Sequence, residues 1–194
     1  MRTLQIGIVG GGWMGKVHAM SYRTARSAFG PEPASPVVAV MADVTMELAE
    51  AAARECGVDR AVADWRRIVE DPQIDIVDIC TPSALHFAQA KQVLAAGRHV
   101  VVEKPFVSSL AEADDLEEAE KKSGKRVCPI FQYRFANGIR QFLHLRERGL
   151  VGKTYVGTVE TMWRRTPAYY DNPWRGRWLS ELGGTLTTHA IHNH

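Results

Sequence analysis

Cysteine is scarce in this sequence of 194 residues, which contains only Cys56, Cys80 and Cys128. An odd number of cysteines without metal-type spacing argues against a disulfide framework or a cysteine-based zinc site. Cys80 and Cys128 stand within apolar runs, so we expect both to be small core residues in a reducing compartment.

Long apolar runs and an excess of one charge are also missing. No segment reaches 18 uninterrupted apolar residues, and the opening MRTLQIGIVG passes straight into a strand pattern without the features of a signal peptide. The 24 basic and 22 acidic side chains nearly cancel, which argues against nucleic acid or a membrane surface as a partner. We therefore expect a cytoplasmic protein.

What the sequence does contain is a regular alternation of short apolar runs and helical patterns up to about Phe131. The predicted strands cover 5–9, 37–42, 74–80, 99–102 and 127–131, with a weak one near Ala61. The predicted helices cover 14–27, 46–56, 65–70, 84–96 and 110–123. This order predicts an α/β fold with a Rossmann-type doubly wound parallel sheet over residues 1–130.

The pattern changes after residue 131. A helix is predicted over 137–150, a strand over 154–163, and a further helical pattern begins near Leu182. Because one strand cannot bury its own faces, residues 131–194 are predicted to be the incomplete beginning of a second, α+β domain for substrate binding and oligomerisation.

The glycine-rich stretch IGIVGGGWMG contains the spacing G-x-G-x-x-G between a predicted strand and a predicted helix. Gly10 permits a tight turn, Gly12 allows a pyrophosphate to approach the backbone, and Gly15 allows close packing of helix and strand. Free N–H groups at the start of the helix then face the anion. We predict a dinucleotide site that includes Trp13 and Met14; the alternative is a purely structural turn.

Asp43 ends the second predicted strand, where an acid can bind both ribose hydroxyls and repel a 2′-phosphate. No lysine or arginine follows at Val44 or Thr45. NAD is therefore favoured, NADP remains open, and the alternative is that Asp43 only shapes a turn.

Three further cofactor candidates follow the strand at 74–80. Thr81 and Pro82 are predicted to lie beside the dinucleotide crevice, because ligands of open α/β sheets bind beyond the carboxyl ends of the strands. His86, one turn into the next helix, is predicted to lie near the same site, with a structural role as its alternative.

The stretch GRHVVVEKP places Glu103 and Lys104 directly after a predicted buried strand. An acid and an amine at the carboxyl end of such a strand are well placed for chemistry. The alternative is a solvated strand end that is stopped by Pro105.

Taken in order, GIVGGGWMGKVHA, CTPSALH, GRHVVVEKP and GGTLTTHAIH resemble the Gfo/Idh/MocA family of oxidoreductases over essentially all 194 residues. The family includes glucose–fructose oxidoreductase-like and inositol dehydrogenase-like enzymes, and its members are longer. The resemblance implies that Lys104 hydrogen-bonds the reacting hydroxyl and that Glu103 fixes the local geometry. An ammonium group there stabilises a developing alkoxide, and partial burial beside other cations would lower its pKa toward that of a base.

The resemblance also implies an aspartate and a histidine after the late pair of glycines. Alignment on Gly183 and Gly184 places Thr188 at the aspartate and His192 at the catalytic histidine. Thr188 can supply only a neutral hydrogen bond, which puts an Asp–His dyad in doubt and moves some base duty to Lys104. His192 is the expected proton acceptor, with a structural histidine as the alternative.

The same segment carries His189 and His194 beside His192, which suggests metal binding by spacing alone. It offers no carboxylate or cysteine, and the resemblance implies metal-independent chemistry, so no metal is expected.

An aromatic and arginine-rich loop, WRRTPAYYDNPWRGRW, suits a polyhydroxylated or acidic sugar. Trp174 and Arg175 are therefore predicted substrate contacts, as are Tyr133 and Arg134 after the last parallel strand. The alternative for this loop is interdomain packing.

Together these features predict an NAD-dependent dehydrogenase of a sugar, polyol or related secondary alcohol, homo-oligomeric when full length. Two alternatives remain at this stage. One is a non-catalytic NAD(P)-binding redox sensor, and the other is an NADP-linked reductase of a non-sugar substrate.

Overall fold

The computed structural model describes residues 2–30, 34–158, 160, 162–183 and 188. By its internal contacts the chain forms two compact units, Met1–Pro129 and Ile130–His194. The elements of the first unit are β1 (Arg2–Val9), α1 (Trp13–Phe29), β2 (Ala34–Ala42), α2 (Met46–Cys56), β3 (Ala61–Val62), α3 (Arg66–Glu70), β4 (Ile76–Ile79), α4 (His86–Ala95), β5 (His99–Val102), α5 (Leu110–Ser123) and β6 (Val127–Pro129).

The six strands form one parallel sheet in the order β3-β2-β1-β4-β5-β6. This order confirms the predicted doubly wound α/β fold. The strand order reverses between β1 and β4, whose carboxyl ends lie side by side with Val9 opposite Ile79. In open α/β sheets this reversal leaves a crevice beyond the strand ends, so the fold itself marks the expected ligand site.

Two apolar cores hold the helices to the sheet. One contains Ile6 and Ile8 of β1 with Ala52 and Ala53 of α2, and all four are buried. The other joins the central strands to α3, α4 and α5, with Leu94 and Leu116 among its buried members. Burying such side chains contributes about 1.5–3 kcal/mol each for the larger ones, which fixes the strand ends in place.

Local sequence signals set the ends of the best-predicted helices. Thr45 and Ser109 accept hydrogen bonds from the first turns of α2 and α5, and Gly57 and Gly124 end these helices with positive φ angles of 65° and 66°. Both helices have their predicted bounds. The predicted helix over 84–96 instead begins with a 3-10 turn at Ser83–Leu85 before α4.

The second unit contains α6 (Asn137–Glu147) and α7 (Trp178–Glu181). The strand predicted over 154–163 is absent from the described part of that segment. A strand needs a hydrogen-bonding neighbour, and no strand is found among the described residues of this unit. Leu182 ends α7 in the left-handed region, and most of the helical pattern predicted after it lies outside the described residues.

The cysteines are free thiols, and one of them corrects a prediction. Cys56 is buried and Cys80 is half-buried, but Cys128 is exposed rather than a core residue. It lies on β6 at the edge of the sheet, where the alternation of the strand turns it away from the core. None of the helices in the described ranges has the length and apolar character needed to cross a membrane.

Candidate functional site

The glycine turn between β1 and α1 meets two different requirements. Gly10 has a φ of 101°, and a Cβ there would lie 2.8 Å from the Cys80 carbonyl oxygen. A Cβ on Gly15 would overlap the carbonyl oxygen of Gly10. Gly12, by contrast, has no atom within 4 Å of an added Cβ. The turn itself therefore requires Gly10 and Gly15, whereas the open space at Gly12 fits the approach of a pyrophosphate.

This contrast gives a paired prediction. Gly15→Ala is expected to lower stability by about 1–3 kcal/mol through overpacking against the turn. Gly12→Ala is expected to lower the free energy of unfolding by at most about 1 kcal/mol, because the Gly12 backbone is already extended and only the preference for glycine at the N-cap is lost. The same substitution is expected to weaken NAD binding at least tenfold. Thermal unfolding and NAD titration of both variants separate the effects. Full NAD affinity in Gly12→Ala would show that no ligand occupies that space.

Asp43 follows β2 and folds its carboxylate against the glycine turn. Its Oδ2 accepts the Gly11 N–H at 2.9 Å and its Oδ1 accepts the Val44 N–H at 2.7 Å. A Cβ on Gly11 would lie 3.0 Å from Asp43 Oδ2 and 2.6 Å from Ala52 Cβ. Gly11, which the motif does not require, is therefore the glycine that lets the acid approach the turn.

Trp13 and Met14 lie at the start of α1, where Trp13 is exposed and Met14 is half-buried. Thr81 and Pro82 follow β4 and are half-buried, and Thr81 Oγ1 donates to Gln89 Oε1 at 2.6 Å. All four stand at the carboxyl edge of the sheet with the glycine turn. Their contact with a cofactor stays a prediction.

His86 is buried and connects two loops. Its Nδ1 lies 2.8 Å from the Pro105 carbonyl oxygen and its Nε2 lies 2.9 Å from the Thr81 carbonyl oxygen. Burial lowers the pKa of His86, so the neutral ring donates to one of these carbonyls at a time. This geometry supports the structural alternative: His86 ties the loop after β4 to the loop after β5.

A buried polar cluster lies below the ends of β4 and β5. His18 of α1 stands between two carboxylates, with Nδ1 2.8 Å from Asp78 Oδ2 and Nε2 3.2 Å from Glu103 Oε1. Tyr22, one turn further along α1, donates its hydroxyl to the same Asp78 oxygen at 2.8 Å. Cys80 Sγ lies 3.4 Å from His18 Nδ1.

The charges in this cluster favour an imidazolium. Burial alone lowers the pKa of His18, but hydrogen bonds with Asp78, Cys80 and Glu103 and the negative charge of Asp78 outweigh it and raise that pKa to about 12. Burial and the Asp78 charge raise the pKa of the Cys80 thiol and of the Tyr22 hydroxyl, so both stay protonated at neutral pH. The imidazolium lets both ring nitrogens donate to carboxylates.

Lys104 follows Glu103 at the carboxyl end of β5. The Lys104 backbone N–H donates to Glu103 Oε2 at 3.0 Å, so the Glu103 carboxylate contacts both the His18 ring and the backbone of Lys104. Lys104 is half-buried, and its peptide bond to Pro105 is cis. The strand end thus carries a half-buried lysine directly after a buried carboxylate that has a hydrogen-bond partner on each oxygen.

Motif reasoning missed the residues buried beside Glu103, namely His18 and Asp78, and the Tyr22 hydroxyl that binds Asp78. One signal was available: Asp78 interrupts the apolar strand IVDIC, and a buried carboxylate requires a partner. The identity of that partner could not be read from the sequence, because His18 lies 60 positions away.

The predicted substrate residues of the second unit form their own arrangement. The Arg175 guanidinium lies 3.9 Å from the Trp174 ring centroid and pairs with the buried Glu181 at 3.0 Å. Thr188 is buried and its hydroxyl lies 3.4 Å from the Glu181 carbonyl oxygen. Tyr133 and Arg134 lie in a 3-10 turn at Gln132–Phe135. His192, with His189 and His194, lies outside the described residues.

Comparison with known proteins finds dehydrogenases among the similar sequences. Levoglucosan dehydrogenase of Pseudarthrobacter phenanthrenivorans is 33% identical over 98% of this chain and 50% of its own length. Myo-inositol 2-dehydrogenase of Thermotoga maritima is 27% identical over 79% of this chain and 43% of its own length. The chain spans about half the length of the curated relatives it matches.

Among solved structures, a levoglucosan dehydrogenase in complex with NADH and levoglucosan superimposes with a TM-score of 0.87 at 32% identity. That match covers 98% of this chain and 52% of the other. Residues 4–131 match the family model described as an oxidoreductase family with an NAD-binding Rossmann fold. The chain therefore belongs to the Gfo/Idh/MocA oxidoreductase family.

Proposed function

We propose that the protein is an NAD-dependent dehydrogenase that transfers a hydride between a sugar, polyol or related secondary alcohol and NAD. One observation carries this proposal. The glycine turn, Asp43 and the Glu103–Lys104 pair follow β1, β2 and β5, so all three stand at the carboxyl edge of one parallel sheet. Two of the relatives are named as dehydrogenases of levoglucosan and myo-inositol, which supports a polyhydroxylated substrate.

The residues present fit an NAD molecule. The backbone at Gly12 leaves room for the pyrophosphate, and the Asp43 carboxylate beside Gly11 can accept hydrogen bonds from the adenosine ribose. A bound NAD would supply the acceptor for the hydride that leaves the substrate carbon. The alcohol becomes a carbonyl and its hydroxyl proton must pass to a base.

Lys104 and His192 are the proposed groups for that proton. The Lys104 ammonium can hydrogen-bond the substrate oxygen and stabilise its negative charge as the hydride leaves. His192 is the proposed acceptor, and Thr188, in place of an acid, could supply at most a neutral hydrogen bond to it. The Trp174–Arg175 stack and Tyr133 with Arg134 are the proposed substrate contacts, in a second domain that begins near residue 131.

The test uses the full-length protein with NAD and a panel that includes levoglucosan, myo-inositol and simple glucosides. Reduced-cofactor absorbance with at least one polyhydroxylated substrate is the expected result. Tight NAD binding without turnover of any substrate would instead favour the redox sensor. Turnover confined to NADP and a non-sugar carbonyl would favour the reductase.

The choice of NAD over NADP gives a separate prediction. Asp43→Ser removes the negative charge that would face a 2′-phosphate, so the NAD-to-NADP ratio of kcat/KM is expected to fall about tenfold or more. A charge pair near a protein surface is worth up to about 4 kcal/mol at 4 Å, which leaves room for this effect. The exposed Asp59, replaced in the same way, is the matched control. An unchanged ratio in Asp43→Ser would remove Asp43 from cofactor selection.

The proposal extends to compartment and assembly. Three free thiols and a nearly neutral charge balance support a reducing cytoplasm, which fluorescence localisation of the tagged full-length protein tests. The proposed homo-oligomer follows from the family resemblance, and light scattering on the full-length protein measures it.

A further inference from the structure

Four residues, from β4, from α1 and from the segment directly after β5, form a continuous chain of contacts that ends at Lys104. Asp78 of β4 contacts His18 Nδ1 at 2.8 Å, and His18 Nε2 contacts Glu103 Oε1 at 3.2 Å. The other oxygen of Glu103, Oε2, accepts the Lys104 backbone N–H at 3.0 Å. Each group therefore restrains the next one in the chain.

The orientation of the Glu103 carboxylate depends on His18. Asp78 is fully buried and Glu103 is nearly so, and two carboxylates at this depth require a cation between them. The His18 ring supplies that cation and donates in two fixed directions, one to each acid. Without it, Glu103 would lose the partner of one oxygen and the compensation of its charge. The Lys104 N–H would then face a carboxylate free to rotate.

We propose that His18 is a positioning residue of the catalytic apparatus, an inference that rests on the proposed function. His18 fixes the Glu103 carboxylate and, through that carboxylate, the backbone of Lys104. Lys104 is the group that meets the substrate, and His18 acts through Glu103. The residue thereby couples α1, which begins at the cofactor turn, to the strand end that carries the proposed catalytic amine.

A metal site is the competing use of the same atoms. One ligand atom each from His18, Asp78 and Cys80 lies within 4.8 Å of the others. A metal ion would displace the His18 proton on Nδ1, which is bound to Asp78, and the thiol proton of Cys80, whose pKa is raised by burial and by the Asp78 charge. The imidazolium donates to both acids through its two ring nitrogens, so Nδ1 has no free lone pair to offer a metal ion. Incubation of the full-length protein with EDTA is therefore expected to leave kcat unchanged.

The test compares His18→Gln with Tyr22→Phe in the full-length protein. Tyr22→Phe removes the hydroxyl that binds Asp78 and perturbs the same buried cluster without removing the His18 contact of Glu103. It is the matched control for a merely structural effect. His18→Gln is expected to lower kcat tenfold to about a hundredfold, the cost of misplacing a reacting group by 1 Å, with KM and NADH affinity within about twofold of wild type. Tyr22→Phe is expected to keep kcat within about twofold.

A second measurement does not depend on turnover. Hydrogen exchange at the Lys104 backbone N–H is expected to be at least tenfold faster in His18→Gln than in wild type and unchanged in Tyr22→Phe. If His18→Gln fails to fold, Glu103→Gln replaces it. The two donors bind different oxygens of Glu103, and glutamine replaces one of these oxygens with an NH2 donor, so one donor loses its acceptor and the same losses are expected.

The outcomes separate the two proposals. Equal losses of kcat in His18→Gln and Tyr22→Phe, or unchanged Lys104 exchange in His18→Gln, would overturn the positioning role. Loss of kcat on EDTA treatment would overturn it in favour of a metal. Should the wild-type protein turn over no substrate, the proposed function fails, and the exchange data alone decide the role of His18.

Discussion

Replacing Lys104 with methionine is expected to lower kcat by about 10²–10⁴, the usual contribution of a positioned acid–base group. Methionine keeps the length and the apolar stem of the side chain but cannot donate a hydrogen bond to the substrate oxygen. Lys104 stands at the carboxyl end of β5, half-buried and directly after the fixed Glu103. Steady-state kinetics with the best substrate of the full-length protein measure the effect.

The control for this substitution is Lys122→Met, an exposed lysine in the last turn of α5. It removes one positive charge from the same unit without touching the strand end. We expect unchanged kcat in this control and unchanged NADH affinity in both variants. A Lys104→Met protein with wild-type kcat would show that the amine takes no part in the reaction.

Alkaline pH is expected to destabilise the protein, and His18 is the main reason near neutrality. Its pKa is raised from the ordinary 6.5 to about 12 in the folded state, so the folded protein holds a proton that the unfolded chain releases. The stabilisation is complete below about pH 6.5 and is lost as the pH rises toward 12. One proton corresponds to about 1.4 kcal/mol per pH unit, so stability falls by up to about 3 kcal/mol between pH 7 and 9.

The other titrating groups of the cluster act in different pH ranges. The cluster around His18 contains Tyr22 of the same helix, Asp78 of β4, Cys80 directly after β4 and Glu103 directly after β5. The raised pKa values of Cys80 and Tyr22 add to the loss only as the pH approaches and passes 9 and 10, the values that these groups have in the unfolded chain.

His86 and His99 have lowered pKa values, so their effects fall at or below pH 7 and have the opposite sign. Denaturant unfolding at pH 7, 8 and 9 should therefore show that the free energy of unfolding falls with pH in wild type. In His18→Gln this fall is expected to be less steep, by the amount that corresponds to about one proton. Parallel slopes in the two proteins would contradict the buried imidazolium.

Local patterns were enough to predict much of the fold. The bounds of α2 and α5 follow from a hydroxyl side chain before the helix and a glycine after it, both next to the segment that they delimit. The glycine motif and the strand end at Glu103 are likewise contiguous in the chain. The predicted strand over 154–163 failed for the converse reason, because its pairing depends on neighbours outside its own sequence.

Whether a residue of an edge strand is buried also could not be predicted from the sequence. Cys128 stands in an apolar run like that of Cys80, yet it is exposed because β6 ends the sheet. His86 shows the reverse case. Its position near a crevice suggested cofactor contact, but the tertiary fold surrounds its ring with two backbone carbonyl groups.

The sequence by itself determined the Rossmann fold, the glycine turn, the acid at Asp43 and the amine at Lys104, because each depends on residues adjacent in the chain. Only the tertiary structure decided that His18 stands between Asp78 and Glu103, residues 60 and 85 positions away. The physical reason is that buried charges must be compensated in space. The partner that compensates them is chosen by the packing of α1 against the sheet, which no local pattern records.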